Sequence, residues 1–404
     1  MKYIDGGVCS AKGFRAGGMN CGIKAGSTKK DLAMIVSDTM CSAAAVYTTN
    51  KVKGAPLAVT REHLINGTAQ AVICNSGNAN TCAPNGVEIA EKTCEITGSA
   101  LGLAAEDIIV CSTGVIGQEL SIKPFEYGVP KLAEKVSYDG GQEAAEAIMT
   151  TDTIPKSIAV EFEIDGKTCH IGGIAKGSGM IDPNMATMLS FITTDAAVSP
   201  EMLDNALKAD VKTSYNQICV DGDMSTNDTV AVLANGMAGN DEITEAGTEF
   251  DVFCEALAMV TRYLAKKLAR DGEGATKLIE CQVKGALDHE TAARISKTVI
   301  SSNLLKAAIF GADANWGRVL CAIGYADGEF STENIDVEMA SAKGRVLVCQ
   351  GSRHKEYSEE EASKILGEEE IQIYVDMHQG NESATAWGCD LTYDYVKING
   401  DYRT

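Results

Sequence analysis

The stretch GIAKGSGMIDPNMATMLSFITTD, residues 173–195, sets a glycine-rich loop directly against an apolar run with no spacer between them. Before the Ala186–Thr187 bond stand Lys176, Gly177, Ser178, Gly179 and Pro183, the residues that punctuate regular structure. After it Met188, Leu189, Phe191 and Ile192 resume, with Thr193, Thr194 and Asp195 behind them, as expected where a loop feeds straight into a buried strand. A hydroxyl at such a junction stands at the mouth of a pocket while the core holds its backbone. On spacing alone, an ordinary turn ahead of a strand reads the same way.

The rest of the composition limits what this loop can serve. With 404 residues the chain is long enough for two domains or one large α/β unit, and 45% hydrophobic and 23% charged residues describe an ordinary globular protein. A formal net charge of -21 argues against nucleic acid or an anionic membrane surface as partner, since both need clustered Lys and Arg. The start, MKYIDGGVCSAKGF, lacks the n-region and apolar run of a signal peptide, and no segment reaches the ~18 apolar residues of a membrane span, so a cytoplasmic location is expected. The 14 cysteines form no C-x-x-C pair, and only Cys169 has a histidine beside it, His170. They read as small buried hydrophobes in a reducing compartment, and no metal site is expected.

Two tempting loops fail their patterns. Lys167-Thr168 follows Gly166, but position 161 is Glu, and residues 161–171 read as a hairpin around Asp165-Gly166 rather than a phosphate loop. The run DGDMSTND, residues 221–228, has Thr226 where a calcium loop needs Gly and Val232 where it needs Glu.

Strands are expected over residues 32–36, 43–47, 69–74, 107–111, 278–283 and 371–376, with an alternating strand pattern over 391–398. Helices are expected over 85–101, 130–149 with an interruption at Gly140-Gly141, 200–212 behind the Ser199 cap, 249–270 and 291–302. A further acidic helix spans the glutamates from 359 to 370, and residues 309–318 read as a loop opening another. Four polar loops follow strands or helices: NSGNAN at 75–80, STGVIG at 112–117, TTDTIPK at 150–156 and DGEGATK at 271–277. Amides around Gly114 could hold developing negative charge, and the Glu273 carboxylate could hold an ammonium; each also fits a plain turn.

An internal threonine is a weak nucleophile, and the five histidines, at 63, 170, 289, 354 and 378, follow no triad pattern. A free N-terminal threonine differs, because its own α-amine, with a reference pKa of ~7.7–8.0, can take the hydroxyl proton. Cutting between Ala186 and Thr187 would create that arrangement.

The run KGSGMIDPNMATMLSFITTDA closely resembles the self-cleavage motif of the ornithine acetyltransferases, also called glutamate N-acetyltransferases. GGVCSAKGFRAGG, VICNSGNANTC, CSTGVIG, MTTDT-x-PK, DGEGATK, FGADANWGR and the ending INGDYRT resemble that family in the expected order over the whole chain. The resemblance implies an α/β fold, a layered α-β-β-α sandwich shared with self-cleaving aminopeptidases. It implies autoproteolysis into an α chain, 1–186, and a β chain, 187–404, in an α2β2 heterotetramer. Thr187 is then the nucleophile, Thr113 and Gly114 the oxyanion hole, and Thr150, Lys176, Thr187, Glu273, Asn399 and Thr404 the substrate-binding set.

The implied reaction moves acetyl from N2-acetyl-L-ornithine to L-glutamate through acetyl-Thr187, with acetyl-CoA as a second acetyl donor in bifunctional members and no cofactor. Lys176 suits an α-carboxylate and Glu273 the ornithine side-chain ammonium. The alternative of similar fold is a self-cleaving aminopeptidase or amidohydrolase, in which water takes the acyl group.

Overall fold

The computed structural model describes residues 1–182 and 188–401. Ala186, Thr187 and Thr404 lie outside the described residues. Among these, nine strands form one mixed sheet in the order Lys2–Ile4, Lys156–Ile164, Lys167–Lys176, Leu189–Thr194, Thr229–Ala234, Leu32–Tyr47, Thr68–Asn75 and Ile108–Ser112, with Phe14–Met19 also pairing with Leu32–Tyr47.

This sheet bends into two layers. Alternate residues of a strand face opposite sides, so each strand carries two apolar faces when both are covered. Ala33, Ile35, Val72, Cys74, Ile109 and Cys111 from one half share a core with Ile174, Leu189, Phe191, Ala231 and Leu233 from the other. The strand Leu32–Tyr47 passes between the halves, and its register with Thr68–Asn75 shifts between Val36 and Cys41, the irregularity that lets a strand turn. The outer face of one half (Met34, Ile73, Ile108, Val110) packs on Ile89, Phe125, Val129 and Leu132 from the helices Gly86–Leu101 and Lys123–Ala133. The outer face of the other (Val160, Ile171, Ile192, Val230) packs on the helices Pro200–Asp210 and Thr248–Arg270. Helix, sheet, sheet, helix is the layering expected.

The long helix Thr248–Arg270 buries Phe253, Leu257, Val260, Leu264 and Leu268, a stripe at helical spacing. It also reaches strands of a second, seven-stranded sheet, ordered Arg353–His354, Gly344–Gln350, Asp336–Ser341, Glu370–Asp376, Leu278–Ala286, Glu382–Cys389 and Ile218–Cys219 among the described residues. The helices His289–Ser301, Asn303–Phe310, Trp316–Gly324 and Glu359–Leu366 pack around that sheet's own core. Among the described residues no helix is long and apolar enough to cross a membrane.

Three expectations are corrected. The two runs at 32–36 and 43–47 are one strand, because the polar residues between them fall on its bend. The helix expected over 130–149 is two, Lys123–Ala133 and Gly141–Ala147, because Ser137 exchanges both backbone hydrogen bonds with Ala16. Residues 391–398 alternate like a strand yet begin the helix Tyr393–Asp401; with no buried face, their apolar pattern had no sheet to join. All 14 cysteines are free, and most are buried, although Cys82 and Cys321 are exposed.

Phe253 is fully buried where the long helix meets the first sheet. Phe253→Ala is expected to cost about 3–5 kcal/mol, read as a lower urea midpoint. A loss below about 1 kcal/mol would contradict this packing.

Candidate active site

The opening loop leaves and re-enters the sheet at one place. Lys176 ends one strand and Leu189 begins its antiparallel neighbour directly opposite. Leu189 also pairs in parallel with Thr229, and Thr229 N–H donates to Met188 O at 3.0 Å. On the near side, Asp221 accepts from Met180 N–H at 2.7 Å and Ile181 N–H at 2.9 Å, while Asp182 pairs with Lys297 at 3.0 Å. The run set aside as a calcium loop thus anchors the chain at Met180 and Ile181, and Lys297 anchors it at Asp182. Both flanks of the candidate cleavage bond are fixed.

The loops 75–80 and 112–117 meet at the ends of two parallel strands, with Asn75 beside Ser112. Asn75 Oδ1 accepts from Gly77 N–H at 3.1 Å and Asn78 N–H at 3.0 Å, and its Nδ2 donates to Ser112 Oγ at 2.7 Å. Thr113 N–H donates to Asn75 O at 2.9 Å. Gly114 has φ +128, and a Cβ there would lie 2.7 Å from the Gly77 carbonyl carbon. Only glycine fits this approach of two backbones.

Lys176 is buried, with Nζ 3.5 Å from Thr113 Oγ1. Behind it lies an ion cluster that the sequence did not reveal. Lys156 Nζ donates to Asp152 Oδ1 at 2.7 Å and Asp271 Oδ2 at 2.6 Å, and all three side chains are almost wholly buried. Asp152 also accepts from Thr150 N–H at 3.0 Å and Gly177 N–H at 2.6 Å, and Asp271 accepts from Thr153 N–H at 3.1 Å. Three candidate segments, at 150, 176 and 273, therefore meet on one buried ammonium. Burial alone would push the Asp152 carboxyl up, but Lys176 and Lys156 outweigh it and hold it well below the usual carboxylate range.

Lys24 adds a second tie, donating to Ser76 Oγ at 2.8 Å and Met149 O at 2.7 Å. Burial lowers its ammonium to about 8; Asp31 opposes the shift and Lys176 adds to it. Glu273 is held by Ser178 O, which accepts its N–H at 2.9 Å, and by Asn399 Nδ2, which donates to Oε2 at 2.7 Å. Gly179 passes against the Glu273 carboxylate so closely that a Cβ would collide with it.

These pieces enclose one cavity of about 110 Å³. Its wall includes Thr113, Gly114, Thr150, Lys176, Glu273 and Asn399, every described residue of the candidate set. Thr151 lines it too, as do Asn227 and Asp228, which sequence reasoning passed over. Their only signal was their place immediately before a buried strand. A cation, a carboxylate and a glycine-bound loop around one small cleft define a site for a small zwitterionic substrate, with the Thr113 hydroxyl and Gly114 at one wall.

Comparison with known proteins agrees with this class. Residues 15–404 match the model of the ArgJ family. The Arginine biosynthesis bifunctional protein ArgJ of Caldanaerobacter subterraneus is 50% identical over 100% of both chains, and that of Geobacillus kaustophilus 48% identical over 99% of this chain and 97% of its own. The crystal structure of the Bacillus halodurans ArgJ protein superposes with a TM-score of 0.51 at 47% identity, covering 54% of this chain and 100% of that one. The chain belongs to the ArgJ family, and so to the ornithine acetyltransferases that its motifs resemble.

Two predictions follow from the ion cluster. Lys156→Met leaves two buried carboxylates without their cation and is expected to cost about 3–5 kcal/mol, measured by chemical denaturation. A neutral result would show that the cluster is not rigidly held. Because Asp152 titrates lower folded than unfolded (~3.9), its contribution to stability is full above about pH 5 and is lost as pH falls below that. Asp152→Asn should therefore flatten the acid limb of the stability–pH curve; an unchanged limb would refute the assignment.

Proposed function

We propose that the chain cuts itself between Ala186 and Thr187 and then moves acetyl from N2-acetyl-L-ornithine to L-glutamate through an ester on Thr187. The observation that carries this reading is the cavity itself, which collects Thr113, Gly114, Thr150, Lys176, Glu273 and Asn399 at the two flanks of the cleavage bond. The solved Bacillus halodurans chain adds support, since the whole of it covers 54% of this chain, and residues 187–404 make up the same share of the sequence.

The α-amine released by cleavage takes the Thr187 hydroxyl proton, and the oxygen attacks the acetyl carbonyl. Thr113 N–H is committed to Asn75, so the donor this residue offers the oxyanion is its hydroxyl; Gly114 offers its N–H. Lys176 takes the α-carboxylate common to both amino acids, and Glu273, oriented by Asn399, takes the ornithine side-chain ammonium. Thr150 and Thr404 complete the substrate set. Acetyl-CoA serves as a second donor to the same threonine, in keeping with the bifunctional relatives, and no metal or organic cofactor takes part. The protein works in the cytoplasm as an α2β2 heterotetramer.

The decisive assay measures ornithine release with and without glutamate. Sustained release is expected only with glutamate, with acetyl recovered on its nitrogen; equal release as free acetate without it would make the protein a hydrolase. Thr113→Ala should lower kcat by ~10²–10³-fold with KM little changed. A loss confined to KM would move Thr113 out of the oxyanion hole.

A further inference from the structure

Asp228 lies in the cavity wall with Lys176, Thr113 and Gly114 and is 2% exposed. Its Oδ2 is buried and has no hydrogen-bond partner among the described residues. The residue is level with Met188, because Thr229 pairs with Leu189 in the parallel strands. Its backbone is fixed by Thr48 N–H, which donates to Asp228 O at 3.0 Å. On its other side Asn227 Nδ2 donates to Ala79 O and, at 2.9 Å, to Ser112 O, tying the segment to the Thr113 loop. A buried carboxyl oxygen without a partner is costly, and a site that keeps one has a use for it.

The reaction proposed above has a proton to account for. Acetylornithine enters with a neutral amide nitrogen and ornithine leaves as an ammonium. Glutamate enters as an ammonium and leaves as a neutral amide. Thr187 and its amine return the hydroxyl proton within each half-reaction, so one further proton must be supplied in the first half and removed in the second. In a ping-pong cycle a group in the site that keeps it between the two halves spares an exchange with solvent in each.

We propose that Asp228 is the catalytic acid–base residue that stores this proton, giving it to the departing amine and regaining it from the incoming ammonium. This rests on the acetyl-Thr187 reading. In the first half-reaction the acyl C–N bond breaks as the ester C–O bond forms, the nitrogen keeps the electron pair, takes the Thr187 proton through the α-amine, and takes a second from the Asp228 carboxyl. In the second, the Asp228 carboxylate removes one proton from glutamate's ammonium. The amine attacks the ester, and its second proton returns through the α-amine to the Thr187 oxygen.

The surroundings of Asp228 suit the first step. Burial raises the Asp228 carboxyl well above the usual range, with Ser225, Lys176 and Thr48 pulling it back only in part. The other charged groups lining the cavity are Lys176 and Glu273, and Asp152 and Lys24 act on Lys176 from beyond it. A carboxyl raised in this way holds its proton more firmly than an ordinary aspartate, as a proton donor to a leaving amine must.

The test compares wild type with Asp228→Asn, both confirmed as cleaved by intact mass. With acetylornithine and glutamate, kcat/KM should fall on the order of 10²-fold or more in the variant. With p-nitrophenyl acetate, whose nitrophenolate leaves without a proton, the rate of Thr187 acetylation should fall less than about tenfold. In wild type, kcat/KM for acetylornithine should decline as pH rises through the Asp228 pKa, and the variant should lack that limb. Equal losses with both donors, or an alkaline limb retained in the variant, would overturn the proposal.

If Asp228→Asn does not assemble, the wild type decides. A single turnover with acetylornithine in weak buffer, followed by an indicator dye, should take up no proton from solvent. Uptake of a full proton per acetyl group would overturn the role of Asp228. Absence of acetyl mass on the second chain would instead remove the acyl-enzyme on which it rests.

Discussion

The Lys156 ammonium, buried between Asp152 and Asp271, is the interaction on which the site depends. A buried ion cluster is weak evidence of stability, because desolvation offsets much of the attraction. What this one supplies is alignment. Asp152 holds the backbone at Thr150 and at Gly177, the residue after Lys176, while Asp271 stands two residues before Glu273. Three loops that are distant in sequence can occupy only one relative arrangement without stranding a charge. The excess negative charge of two carboxylates on one lysine is met by Lys176, whose field also holds Asp152 ionised. The cation proposed to receive the substrate carboxylate is thereby part of the scaffold.

The bent sheet explains why a loop following Lys176 meets loops following Ser112. In a flat sheet, the strands Lys167–Lys176 and Ile108–Ser112 would be separated by every strand between them. Folding at the 36–41 irregularity brings the halves face to face, and Asn227 bridges from the Thr229 strand to Ser112 O. Residues on both sides of the proposed cut are pinned by backbone pairing. Strand registry on the two flanks sets the position at which the proposed new terminus would begin.

Much of this was legible in the sequence, for physical reasons. The stretch at 173–195 announces its loop-to-strand change because glycine and proline cannot continue a strand that Leu189, Phe191 and Ile192 plainly form. The long helix is readable from the spacing of Phe253, Leu257, Val260, Leu264 and Leu268. The family motifs supplied Thr113, Lys176, Glu273 and Asn399, and the structure gathers them. The buried pairing of Lys156 was not legible, since a lysine after proline in a polar loop looks solvated. Asp228 was hidden inside a failed calcium pattern. The terminal helix was misread because period-two alternation counts only where a sheet edge is available.

The most direct test of the central claim is intact mass and N-terminal sequencing of the purified protein. Two chains are expected, the second beginning Thr-Met-Leu-Ser-Phe and gaining one acetyl group after brief exposure to acetylornithine. A single uncut chain of 42.6 kDa that transfers acetyl at full rate would contradict it, because Thr187 would then have no amine to act as base.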